Sequence, residues 1–84
     1  MEKIILDGKI LLEKDTAHTY LKQKLNLPEY YGRNLDALYD CLTECFEIEI
    51  EIYLPEEKSM FFENVICVFE DAAEENEKLN LNIC

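Results

Sequence analysis

The sequence predicts an α/β fold: a three-stranded parallel sheet packed with helices, in the order β-α-α-β-α-β. Three observations carry that expectation. The stretch EIEIEIYL, Glu47 to Leu54, alternates glutamate with isoleucine, which is the two-residue period of a strand. KIIL (Lys3 to Leu6) and KLNLNI (Lys78 to Ile83) are two more short strand-like runs. Between the three runs the apolar residues recur every three or four positions, the spacing of a helix face. Helices lying between strands call for parallel pairing with right-handed crossovers.

In chain order, Lys3 to Leu6 is an uninterrupted apolar run closed by Asp7-Gly8. It reads as a first strand buried on both faces, as parallel strands usually are. A first helix follows, with Asp15 or Thr16 as candidate caps, Tyr20, Leu21 and Leu25 near one stripe, and Pro28 ending the element. Asn34 suits the N-cap of a second helix running to about Cys45, because its side chain can accept from the amide of Asp36 or Ala37. Asp36 in the first turn favours the positive end of the helix dipole. The second strand, closed by Pro55, carries glutamates at 47, 49 and 51, which suggests a charge-protected sheet edge. From Ser59 to Glu75 the stripe Phe62, Val65, Ile66, Phe69, Ala72 and Ala73 predicts a third helix.

With 84 residues the chain is expected to form a single domain, residues 1–84, that buries little more than half of its unfolded surface. Its 49% hydrophobic content supplies one core, and 32% charged residues is ordinary for a soluble protein. The formal net charge is -11, from 19 acidic and 8 basic residues. Such a surface repels phosphate backbones and anionic lipid and attracts a cationic partner. Nucleic acid and membranes are therefore excluded as expected partners, although acidity also serves solubility alone. No apolar run near Met1 is long enough for a signal peptide or a membrane helix, so a cytoplasmic location is expected. Cys41, Cys45, Cys67 and Cys84 match no common zinc spacing. In a reducing compartment they read as small buried hydrophobes, not metal ligands.

Catalysis finds no positive support in the sequence, and no cofactor is implied. The one histidine, His18, lies among polar residues and reads as a surface residue. Gly8 and Gly32 are the only glycines, so there is neither a P-loop nor a dinucleotide fingerprint. The unusual feature is the second predicted helix. Leu35, Leu38 and Leu42 point to a core, while Asp36, Tyr39, Asp40 and Thr43 gather on another face at spacings of three and four. Carboxylates at i and i+4 repel each other by a few tenths of a kcal/mol. Two carboxylates around a tyrosine, with a threonine above, form a compact plug for a cationic pocket, unless the face is merely solvated.

The stretch LPEYYGRNLDALYDCLT, Leu27 to Thr43, resembles the signature of the barstar family, intracellular protein inhibitors of the ribonuclease barnase. Weaker similarity extends to IILDG near the start and VFEDA at Val68 to Ala72. The resemblance implies a three-stranded parallel sheet with helices, and a loop and second helix that enter and block a ribonuclease active site. Carried to matching positions, it implies a binding face of Tyr30, Asn34, Leu35, Asp36, Asp40 and Thr43, with Gly32 allowing close backbone approach and Asp40 at the centre. Asp71 stands where the family carries a glutamate that makes a further charged contact.

The chain departs from the family's pattern at several places. Tyr39 replaces a tryptophan, Arg33 an acidic residue, and Glu44 and Cys45 a glycine and a tryptophan. Tyr39 and Glu44 are counted with the binding residues. A proline of the family is missing at Glu47-Ile48, and the short segment after Leu54 implies one helix fewer. Arg33 is expected to set a like charge against a basic enzyme, which then carries an acidic residue opposite it. The expected partner is a basic, barnase-like ribonuclease, bound by a chain that is monomeric when free. The alternative is a binding module of the same fold for a basic protein that is not a ribonuclease.

Overall fold

The computed structural model describes residues 2–29, 31–44 and 47–84. The elements are β1 (Glu2–Asp7), a short 3-10 turn (Gly8–Leu11), α1 (Lys14–Lys24), α2 (Leu35–Glu44), β2 (Ile48–Tyr53), α3 (Met60–Glu75) and β3 (Leu79–Ile83). The strands form one parallel sheet in the order β1-β2-β3. Element order and strand direction agree with the expectation from sequence, and no helix lies between Tyr53 and Met60.

Register explains the core. Ile4, Ile50 and Leu81 stand side by side, as do Leu6, Ile52 and Ile83. Strand side chains alternate between faces, so these residues share one face of the sheet. Ile4, Leu6, Ile50, Ile52 and Leu79 are buried there with Leu21 of α1, Leu38 and Leu42 of α2, and Phe62, Val65, Phe69 and Ala72 of α3. The opposite face carries Lys3, Ile5 and Asp7, then Glu49, Glu51 and Tyr53, then Asn80 and Asn82.

That open face corrects two expectations. β1 is not buried on both sides, because Ile5 keeps 48% of its surface exposed; the helices cover only the face that holds Ile4 and Leu6. β2 is not an edge but the central strand. Its glutamates mark the open face, where Lys3 lies 3.6 Å from Glu49 and 3.9 Å from Glu51. Glu51 also accepts from the Tyr53 hydroxyl at 2.8 Å and the Asn82 amide at 3.4 Å. Its side chain is only 13% exposed. The alternation reported a face, and a face has the same period whether the strand is central or peripheral.

The helix starts show local chemistry at work. Glu13, not Asp15 or Thr16, is the N-cap of α1, and it makes no side-chain capping bond. The reason is the 3-10 turn before it, whose Lys9 amide is capped by Asp7 at 3.0 Å. The chain enters α1 at Lys14 and leaves Asp15 inside the first turn, where it still favours the dipole. Ser59 accepts from the Phe62 amide at 3.0 Å and donates to the Leu12 carbonyl at 2.8 Å. It therefore caps α3 and ties it to the segment before α1. Buried Asn76 donates to the Leu42 carbonyl at 3.0 Å and accepts from the Lys78 amide, which anchors the last turn of α2 over the entry to β3.

Two of the cysteines, Cys67 and Cys84, are not buried filler, whereas Cys41 packs partly against the core. Cys67 and Cys84 are exposed, Cys41 is half-buried, and all three are free thiols; Cys45 lies outside the described residues. Cys67 is on α3 away from its apolar stripe, and Cys84 follows β3.

Gly8 follows β1 directly, beside the end of its partner strand β2. A β-carbon there would overlap the Tyr53 carbonyl oxygen and approach Pro55 Cδ at 2.8 Å and Phe62 Cε1 at 3.2 Å. Backbone cannot yield as a flexible side chain can, so Gly8→Ala is expected to destabilise the fold by about 2–3 kcal/mol through overpacking. Urea denaturation with an unchanged slope would read this as a lower midpoint; an unchanged midpoint contradicts it.

Candidate functional site

α2 is a two-faced helix because of its local sequence. Leu38 and Leu42 are buried in the core, with Leu35 packed partly against it. Asn34 begins the helix as expected: its Oδ1 accepts from the Ala37 amide at 2.7 Å, and its Nδ2 donates to the Gly32 carbonyl at 3.3 Å. The cap thus joins the helix to the loop before it. Gly32 has no left-handed backbone angle, and a methyl group there would press on the Asn34 amide at 3.1 Å.

Outward from this frame stand Asp36 and Asp40, both exposed, with Tyr39 and Thr43 half-buried beside them. The Thr43 hydroxyl donates to the Asp40 carbonyl at 3.0 Å. Its proton is therefore engaged within the helix, and its lone pairs face outward as acceptors. Among the described residues the Asp36 and Asp40 carboxylates have no hydrogen-bond or ion-pair partner. Tyr39 connects two helices. Partial burial, then the carboxylates of Glu75, Asp71 and Asp40 in that order, push its phenol above the ordinary tyrosine range. Asp71 of α3, the helix packed against α2, thus lies within electrostatic reach of Tyr39. Glu75 joins them, and the sequence reading missed it. The available signal was its position four residues after Asp71, on the same side of α3.

Glu44 is exposed and borders a groove of about 580 Å³ with Leu25, Leu27, Pro28, Tyr31, Asp40 and Cys41. Burial, Glu44 and Asp40 raise the Cys41 thiol above its usual range, so Cys41 remains protonated near neutrality. Tyr30 lies outside the described residues.

One expectation near this face is made more specific and another is corrected. Arg33 is exposed and keeps its charge, but it folds back on α1, its Nη2 donating to the Asp15 carbonyl at 3.2 Å and to Thr19 Oγ1 at 2.9 Å. His18 is not on the surface, being only 1% exposed. Its Nδ1 lies 2.6 Å from the buried Tyr31 hydroxyl, and Phe61 meets its ring edge-on. Polar neighbours in sequence concealed it, because every third or fourth residue of α1 turns inward: Ala17, His18 and Leu21 are buried together.

The buried imidazole makes stability depend on pH. Burial, then Arg33 and Lys14, lower the His18 pKa, which Asp15 partly opposes; Nε2 has no hydrogen-bond partner among the described residues. A depressed folded-state value means that the unfolded chain takes up the proton first. The contribution is present above about 6.5, the unfolded value, and is lost as pH falls through the folded value. Stability should decline on acidification from neutrality, by at most about 1.4 kcal/mol per pH unit from this one group. His18→Gln should flatten that limb when melts are compared between pH 7 and pH 5.

This fold and face define a class: a small α/β protein with a three-stranded parallel sheet that presents exposed carboxylates and a tyrosine on its second helix. Residues 1–83 match the Barstar (barnase inhibitor) family, and the chain belongs to that family. A Bacillus subtilis (strain 168) protein named "Putative ribonuclease inhibitor YrdF" is 48% identical over 54 residues. That match covers 64% of this chain and 59% of the relative, so it spans less than two thirds of the relative's length.

Proposed function

We propose that this protein inhibits a basic, barnase-like ribonuclease by plugging its active site with α2 and the loop before it. The observation that carries the reading is the pair of exposed carboxylates on α2, Asp36 and Asp40, which flank half-buried Tyr39 and have no hydrogen-bond or ion-pair partner among the described residues. A ribonuclease holds its scissile phosphate with cationic side chains, and a rigid carboxylate can occupy that anion site without offering a bond to cleave. Asp40 takes the central position, and Tyr30, Gly32, Asn34, Leu35, Asp36, Tyr39, Thr43, Glu44 and Asp71 surround it. The protein supplies no catalytic group, metal or cofactor, and acts as one domain, monomeric before binding, in the cytoplasm.

The test is titration of the purified protein into a fluorogenic RNA-cleavage assay with barnase and other small basic secreted ribonucleases. Turnover should fall to zero at one equivalent for the cognate enzyme, with association slowed by added salt. Full turnover at excess protein for every such enzyme would remove the reading. Tight binding to a basic protein without nuclease activity would favour a binding module of the same fold.

A further inference from the structure

We infer that Arg33 is a positioning residue, which clamps the binding loop onto α1 and holds it in its bound shape before the partner arrives. This rests on the proposed inhibitory reading for its functional consequence, but the clamp itself belongs to the free protein.

The geometry is that of a segment pinned at both ends. At its start, the buried Tyr31 hydroxyl meets His18 Nδ1 at 2.6 Å, and the Tyr31 amide donates to the Pro28 carbonyl at 2.9 Å. At its end, Asn34 caps α2 through the Ala37 amide. Between them, Arg33 has φ 55°, a left-handed conformation that a residue with a β-carbon enters only when its surroundings hold it there. What holds it is on α1: one guanidinium nitrogen donates to both the Asp15 carbonyl and Thr19 Oγ1. Asp15, His18 and Thr19 lie three and four residues apart and so share one side of α1. One side of one helix therefore grips the loop twice.

The clamp changes what Arg33 means for recognition. One nitrogen of its guanidinium is turned toward α1 and held by two neutral acceptors, so the positive charge remains while its position is fixed. Its effect on binding is through order: a loop already fixed in its bound shape loses less conformational freedom on association. That effect falls on the dissociation rate, where most differences among variants of one interface appear.

Three full-length variants decide the matter: Arg33→Asn, Thr19→Val and the double change. Asparagine tolerates the left-handed conformation, so the first removes the guanidinium without forcing the backbone. Thr19→Val removes one acceptor with no change of charge. In the free protein, hydrogen exchange at the Tyr31 and Ala37 amides should accelerate by about fivefold in Arg33→Asn and by less in Thr19→Val, with α3 amides unaffected. On the inhibited ribonuclease, Arg33→Asn should dissociate about fivefold faster, Thr19→Val less so, and the double no faster than Arg33→Asn, because the arginine change already breaks both hydrogen bonds of the clamp.

Unchanged loop exchange overturns the clamp, whatever the binding data show. Faster association of Arg33→Asn, with parent-like kinetics for Thr19→Val, also overturns it by assigning Arg33 a direct charge contact. A parent protein that inhibits no ribonuclease removes the inhibitory reading, while loop exchange still decides the clamp.

Discussion

Asp40→Ala should dissociate from the cognate ribonuclease faster than any other single truncation on α2, with Tyr30, Tyr39 and Asp36 next in rank. Asp40 is to be the charge desolvated at the middle of the contact, and energetic hot spots concentrate in such places. Its first rank comes from the barstar resemblance, barstar being itself an established example of a carboxylate hot spot, so the expected loss is stated only as the threshold of that class, about 2 kcal/mol or more. A peripheral, exposed carboxylate such as Glu47 should act on association instead, through an attraction screened over about 8 Å at physiological ionic strength. The free variant should melt as the parent does or slightly higher. The Asp40 carboxylate is exposed and without a hydrogen-bond or ion-pair partner among the described residues, and its removal relieves repulsion from Asp36 one turn earlier. A kinetic alanine series paired with circular dichroism melts separates the outcomes. Parent-like dissociation, or a loss explained by unfolding, refutes the plug.

Phe69→Ala should produce the opposite pattern: it abolishes inhibition because it removes the fold. Phe69 is fully buried and faces the core from the middle of α3. Truncating a buried phenylalanine costs about 3–5 kcal/mol, by lost burial and by the cavity left behind. A domain of this length has only about 4–13 kcal/mol in total. The variant should therefore unfold over most of the urea range in which the parent is folded. Added ribonuclease should partly restore it, since a ligand that binds only the folded state shifts the equilibrium toward it. A parent-like midpoint would mean that this part of the core can collapse around the missing ring.

The candidate face was legible wherever its residues are close in sequence. Asp36, Tyr39, Asp40 and Thr43 needed only the helical period to be placed together, and Asn34 needed only the preference for side-chain acceptors at an N-cap. Asp71 entered through resemblance to a family, since nothing local connects it to α2. Glu75 was missed for the same reason: on an acidic helix one more glutamate reads as solvated surface, and only the packing of α3 against α2 brings it to Tyr39.

What the sequence determined by itself was local and periodic. Alternation at Ile48 to Ile52 defined a strand with one apolar side, three-and-four spacing defined three helices, and their order required a parallel sheet. The tertiary structure decided what lies opposite each side. It put helices on a single face, so that Ile5 remained exposed and β2 became central; it turned His18 inward against Tyr31; and it folded Arg33 back onto α1. The physical reason is that period states which residues share a face, whereas burial and pairing depend on which other element meets that face. Those meetings join positions far apart in the chain, such as His18 with Tyr31, Asp15 and Thr19 with Arg33, and Tyr39 with Asp71, and no local pattern encodes them.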